Sequence, residues 1–334
     1  MGSRAASDSS DLSADARLRV LACPGSRMET AVVRISVIIP TRNRPDDLRR
    51  CLAGLVECVQ RLDATPGTAL HEVVIVDDAS SRPDALSPVY ASDLPTTVLY
   101  NRVRMGAGSS RARAVCAASG DVLAFLDDDA VPRGDWLSVA GSVTEHRPAI
   151  SGRVLRFDKG LVSSARQARY DDRYRSLSEG DPISFFAGGN SAILASAFRA
   201  VGGFTRNGVG GDNSLAEALA ADGNPVQFQP ALVIAHRNGK GVRRAILDSW
   251  SSGRDHQQQL TIPAAIQLVR ASGLGGSPAV RGLNRMLSVV HAAGRMERRK
   301  RSSRSTSATI SRGFALERKH VPDCPDIEAV VANR

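Results

Sequence analysis

The chain has 334 residues, 42% hydrophobic and 23% charged, with a formal net charge of +10. This composition can bury a core and excludes a wholly disordered chain. Its longest apolar runs fall far below the ~18 residues of a membrane span, and its five cysteines include no CxxC pair. A spanning protein, a disulfide framework and a zinc site of the usual spacing are therefore not expected, and reduced thiols imply a cytoplasmic protein.

Residues 1–30 are rich in Ser, Ala, Asp and Arg, lack periodicity and read as a disordered leader without a signal-peptide layout. Order is expected to begin at Val32. Val33 to Pro40 is a β-branched run closed by proline, the pattern of a strand buried on both faces. Leu48, Cys51, Leu52, Leu55, Val59 and Leu62 then recur at helical spacing. A second β-run, Glu72 to Val76, ends in Asp77 and Asp78, and a third strand falls at Thr97–Tyr100. A Gly-rich turn at 106–108 opens a helix from about Ser109 to Ser119. Val122–Leu126 then runs into Asp127, Asp128 and Asp129. Strands alternating with helices at these spacings predict an α/β fold with a doubly wound, mostly parallel sheet.

From 150 to 181 the pattern is loose, Arg-rich and polar. Phe185–Leu194 reads as a loop entering a strand. Short helices are expected near 196–201 and 213–221, and a strand at 231–235 delivers His236. Residues 246–292 read as a helical extension broken at Pro263, at 273–278 and at Gly282, and 293–334 as a basic, partly disordered tail. Of the 44 basic residues only Lys159, Lys240, Lys300 and Lys319 are lysine, which leaves 40 Arg. Arg grips phosphate bidentately, although a coding bias toward Arg accounts for the same excess.

Two strands each deliver a carboxylate cluster at their C-terminal end, where open α/β sheets bind ligands. Three consecutive carboxylates repel one another and call for a cation. A hard divalent ion with oxygen ligands meets that need and leaves positions open for substrate phosphates.

Ile35–Asn43, Val76–Ser80 and Phe125–Asp129, followed by Gly188-Gly189-Asn190, Val201–Phe204 and Gly210-Gly211-Asp212, resemble in order and spacing the family 2 glycosyltransferases of the GT-A fold. The resemblance covers about residues 33–240, within a GT-A type domain at 31–245. It implies inverting transfer from a nucleotide diphosphate sugar to an acceptor hydroxyl with Mg2+ or Mn2+. It places Pro40, Thr41, Arg44, Asp78 and Arg111 in the nucleotide pocket, with Asp78 accepting from the base. Asp127, Asp128 and Asp129 match the family's DxD element, in which the last Asp holds the metal on the diphosphate; Asp127 and His236 are further metal candidates. Asp212 matches the catalytic base, although an Asp before a helix also caps free N–H groups. Gly188 and Gly189 would let backbone approach the sugar, with the Asn190 amide bonding its hydroxyls. The chain departs from the family pattern at Ala112, Thr205, Gly211 and Ala218, which leaves a non-catalytic nucleotide-sugar or glycan binder as the rival reading.

The basic run 295–304 could touch an anionic membrane face peripherally, although a solvated linker also explains it. Sparse aromatic residues, with none interleaved among the basic ones, argue against specific nucleic-acid binding.

Overall fold

The computed structural model describes residues 32–62, 67–82, 84–204, 211–239, 241–255, 260–272, 275–305 and 329–332. The expected leader 1–30, most of the tail beyond Ser305, Thr205, Cys23 and Cys324 lie outside the described residues.

In chain order the elements are β1 (Val33–Thr41), α1 (Pro45–Leu62), β2 (Thr68–Asp77), α2 (Ser87–Tyr90), β3 (Thr96–Tyr100), α3 (Ala107–Ala117), β4 (Val122–Leu126) and β5 (Ala130–Pro132). There follow α4 (Trp136–Ala140), β6 (Ala149–Arg156), α5 (Leu161–Tyr174), β7 (Asn190–Leu194), α6 (Ala195–Ala200), α7 (Gly211–Ala221) and β8 (Gln227–His236). The chain continues through α8 (Val242–Asp255), α9 (Ile262–Ala271), α10 (Pro278–Ser305) and β9 (Ala329–Ala332).

The strands form one sheet in the order β5-β8-β6-β7-β4-β1-β2-β3-β9. The segment β3-β2-β1-β4 is parallel throughout, as alternating strands and helices dictate. Beyond β4 the sheet is mixed: β7 runs antiparallel to β4 and β6, β8 is parallel to β6, and β5 is antiparallel to β8. The expected α/β class is present, with the uninterrupted parallel run confined to β3-β2-β1-β4 and a single parallel pair, β6-β8, beyond it. The antiparallel entry of β7 puts Asn190 opposite Leu126, so the loop before β7 arrives where β4 ends.

β1 and β4 are central, and from Ile35 to Thr41 and from Val122 to Leu126 every residue is buried. Alternate side chains supply two cores, as the two-residue period of a strand requires. Ile35, Val37 and Ile39 pack with the apolar stripe of α1 on one face, and Ile38 with Phe125, Phe186 and Phe198 on the other.

Three expectations need correction. The loose stretch after residue 150 contains β6 and α5, whose buried positions are mostly Val162, Ala165 and Ala168. Side chains that small give a weak apolar signal among arginines. α10 continues through Gly282 without a break. A helical glycine costs about 1 kcal/mol, but Val280, Leu283 and Leu287 around it pack on α5 and on Ala245 of α8. Pro263 lies in the first turn of α9, where Pro is tolerated. The basic run 295–304 lies within α10 rather than in a linker. Among the described residues no helix is long and apolar enough to cross a membrane.

Candidate active site

The C-terminal ends of β1, β2, β4 and β8 converge with the loop before β7. The turn between β4 and β5 carries Asp127–Asp129, and beneath it the buried Cys51 thiol of α1 donates to the Asp127 carbonyl at 3.5 Å. Burial first, and the nearby carboxylates second, push that thiol far above its ordinary pKa, so it stays a neutral donor.

The three carboxylates take different directions. Asp128 turns toward β1 and is only 4% exposed. It accepts from Thr41 Oγ1 at 2.9 Å and Arg44 Nη1 at 2.9 Å. Burial raises its pKa to about 6 against the opposing pull of Arg44. Asp128 thus fixes Thr41 and Arg44 at the strand end rather than reaching outward. Arg44 Nη1 also donates to Asp129 Oδ2 at 2.8 Å.

Asp127 and Asp129 meet His236. Pairing of β5 with β8 puts Ala130 opposite His236, and Arg237 N–H donates to the Asp129 carbonyl at 3.0 Å. His236 Nε2 lies 3.0 Å from Asp129 Oδ1, while Nδ1 faces Asn238 Oδ1 at 3.0 Å. The amide oxygen takes the Nδ1 proton and so aims Nε2 at the carboxylates. Burial opposes a charge on the ring, but the Asp129 hydrogen bond and the charges of Asp129 and Asp127 prevail and raise its pKa. Asp127, Asp129 and His236 each offer a ligand atom within 4.8 Å of the others. Two carboxylate oxygens and one imidazole nitrogen form a donor set that could hold a divalent cation.

Arg111 of α3 is 7% exposed and sits between two acids. Its Nη2 donates to Asp127 Oδ1 at 2.6 Å, and Nη1 lies 3.6 Å from Asp212 Oδ2. Both terminal nitrogens therefore face carboxylates, where the sequence placed this cation beside a diphosphate. Asp212, in the first turn of α7, accepts from the Gly188 N–H, and burial raises its pKa despite Arg111. Gly188 and Gly189 are required by these contacts. A Cβ at Gly188 would overlap Asp212 Oδ2 and the Arg111 guanidinium, and one at Gly189 would overlap the Asp127 carboxylate. The close approach is thus to the chain's own carboxylates.

The Asn190 expectation is overturned. Its Oδ1 accepts from Trp136 Nε1 at 2.9 Å, its Nδ2 donates to the carbonyls of Arg153 and Leu232, and it is 1% exposed. The amide ties β7 to its neighbours and has no donor left for a sugar hydroxyl.

Two basins meet at Arg111, Asp127 and His236. The first, about 710 Å³, is walled by Pro40, Thr41, Arg44, Asp78, Arg104 and Arg244. Asp78 there is 5% exposed and accepts from Asn101 Nδ2 and from the N–H groups of Met105 and Gly106 at 2.7–2.9 Å. Burial disfavours its charge, but these donors prevail and hold its pKa below the usual value. The second basin, about 810 Å³, has an aromatic wall of Tyr170, Tyr174 and Phe185, with Asp212 and Gly188 opening into it. Sequence reasoning missed this wall, Arg104, Arg244 and the orienting Asn238. The Tyr170–Tyr174 pair, one helical turn apart, was the available signal.

A sequence profile described as Glycosyl transferase family 2 matches residues 36–202, half of the chain. The pre-mycofactocin glycosyltransferase of Mycobacterium tuberculosis is 27% identical over 221 residues, covering 63% of this chain and 44% of that protein. This chain thus spans less than half the length of that relative. An uncharacterized glycosyltransferase of Escherichia coli, YibD, is 30% identical over 102 residues, 30% of this chain and 28% of that one. Among solved structures, a mannosyltransferase of Pyrobaculum calidifontis in complex with GDP-Man and Mn2+ is 20% identical with a TM-score of 0.47, covering 84% of this chain and 78% of that one. The chain belongs to glycosyl transferase family 2.

Proposed function

We propose that this protein transfers a sugar from a nucleotide diphosphate donor to an acceptor hydroxyl with inversion at the anomeric carbon, using Mg2+ or Mn2+. The observation that carries this reading is the junction itself. A metal-type group and a separate carboxylate, Asp212, face two basins that share Arg111 and Asp127.

The polar first basin suits the donor. Asp78 has three protein donors on about four carboxylate acceptor sites, which leaves room for one N–H of a nucleobase. Arg104 and Arg244 supply positive charge for the diphosphate. Asp127, Asp129 and His236 would hold the cation, whose chemistry is to neutralise charge on the departing nucleotide diphosphate. The second basin suits the acceptor, and its aromatic wall can pack on a sugar or other ring.

Asp212 is the base. It lies on an element separate from the acidic turn, so it can take a proton from a hydroxyl attacking opposite the leaving group. The Arg111 charge favours its ionised form and opposes the burial that raises its pKa. Gly188 N–H fixes the carboxylate's direction.

The test is nucleotide release from a panel of UDP-, GDP- and dTDP-sugars with Mn2+ or EDTA, with the product anomer read by NMR. Asp212→Asn should abolish transfer while Mn2+-dependent nucleotide binding persists. A wild type that binds nucleotide but turns over no donor overturns the proposal in favour of a non-catalytic binder.

A further inference from the structure

A third cleft, of about 460 Å³, opens between α5, α8, α9 and α10. α5 lines it with Arg166, Arg169 and Arg173, whose spacing of three and four residues puts them on one helix face. Like charges so placed repel one another, and few acids answer them. Arg166 reaches Asp248 at 3.7 Å, but Arg244 already holds that carboxylate at 2.8 Å. Arg169 donates through Nε to Asn284 Oδ1 at 2.9 Å, and through Nη2 to the Asn284 carbonyl and Ser288 Oγ at 3.2 Å. These acceptors are neutral, and among the described residues no carboxylate pairs with Arg169. Partial burial and the charge of Arg166 lower its pKa, the direction expected of an unanswered cation. Arg173 has no hydrogen bond or ion pair among the described residues, and its guanidinium carbon lies 4.8 Å from the Phe185 ring centre.

Arg169 is thus fixed by α10 with its Nη1 edge open, and Arg173 stands beside it. The charged lining is three arginines and Asp248, an excess of two positive charges. A carboxylate would balance half of that, whereas a phosphate monoester, with a charge near −2, balances it and matches the guanidinium fork. Ser249 and Ser252 add hydroxyl donors to the same walls. The cleft is also joined to the site already described, because Tyr170 and Arg173 line both it and the 810 Å³ basin.

We propose that this cleft binds the phosphate group of a phosphorylated acceptor, held by Arg169 and Arg173 while another part of the same molecule presents its hydroxyl in the basin that contains Asp212. The link to the acceptor rests on the assignment of that basin in the proposed function; the anion site stands on the cleft alone. The phosphate belongs either to a soluble metabolite or to a lipid headgroup, and the two sources are separable.

Phenyl phosphate is titrated calorimetrically into the full chain in EDTA, which silences cation-dependent nucleotide binding. Saturable binding is expected, weakened at least about tenfold by Arg173→Gln, because one charge-assisted contact is lost. Arg173 makes no hydrogen bond among the described residues, so this variant is expected to keep the structure, as circular dichroism checks; Arg169→Gln should weaken binding at least as much. In a second arm the chain is sedimented with phosphatidylcholine vesicles with and without phosphatidic acid. Recruitment by phosphatidic acid that Arg173→Gln abolishes supports a lipid-borne phosphate; phenyl phosphate binding without recruitment supports a soluble one. No saturable binding of either probe, or binding that neither variant alters, overturns the proposal. If phenyl phosphate binds through these arginines while Asp212→Asn still transfers sugar, the acceptor assignment fails and the anion site remains.

Discussion

Replacing Arg111 by Met tests how the two halves of the site are joined. The guanidinium is 7% exposed and lies 3.6 Å from Asp212 Oδ2. At an effective dielectric of about 20, two unit charges at that distance attract by about 4–5 kcal/mol. The Asp212 side chain keeps 31% exposure, so solvent screens this attraction to about 2 kcal/mol. Asp212 is already raised by burial, and loss of Arg111 raises it further, so more of the base is protonated near neutrality. The acid limb of the kcat–pH profile should therefore move to higher pH, with the plateau regained there. Fold stability should fall by about 2–3 kcal/mol in urea titrations, below the ~3–5 kcal/mol of a fully buried pair, because both acids retain some water. Arg111→Lys keeps the charge and should restore most of the profile. An acid limb that stays in place in Arg111→Met would refute electrostatic control of Asp212 by this residue.

Three further outcomes are expected. Gly189→Ala should lower Mn2+ affinity at least about tenfold with unchanged circular dichroism, because its Cβ displaces the Asp127 carboxylate and metal ligands tolerate only ~0.2 Å. Asn238→Ala should lower Mn2+ affinity about 10–100-fold, and in the wild type that affinity should fall as pH drops through the raised His236 pKa, where a proton occupies Nε2; calorimetry between pH 5 and 8 reads both. Asp128 has a folded-state pKa near 6 against an ordinary 3.8, so its stability contribution is greatest at low pH and is lost as pH rises between these values, by up to about 3 kcal/mol. Urea titrations in EDTA across pH 4–7 should therefore show a shallower decline in Asp128→Asn than in wild type.

The parts legible in the sequence were those that a one-dimensional pattern can encode. β1 and β4 are continuous apolar runs because both faces are covered, and the acids that close β2 and β4 stand at the sheet end where ligands gather. The α/β class and the gathering of Asp78, Asp127 and Asp129 at that end followed from strand direction, whereas Asp212 and His236 were placed by the family resemblance. Side-chain direction did not. Asp128 is chemically identical to its neighbours, yet it turns toward Thr41, and Asn190 is consumed by Trp136 and two carbonyls. Such partners lie 37–87 residues away, beyond any local spacing rule. α5 stayed hidden because the small residues Val162, Ser163, Ala165 and Ala168, rather than leucines, form most of its buried stripe, and Gly282 misled because packing outweighs its intrinsic cost.

The three-residue strand β5 has a consequence for how the molecule is made. It clips the acidic turn to β8, so the imidazole reaches its carboxylates only after more than a hundred intervening residues have been synthesised and docked. Closing so long a loop is slow, which makes the metal group a late arrival on the folding pathway. A cation held by Asp129 and His236 would then act as a latch on β8, favouring the closed sheet by mass action and slowing the peeling of its outer edge.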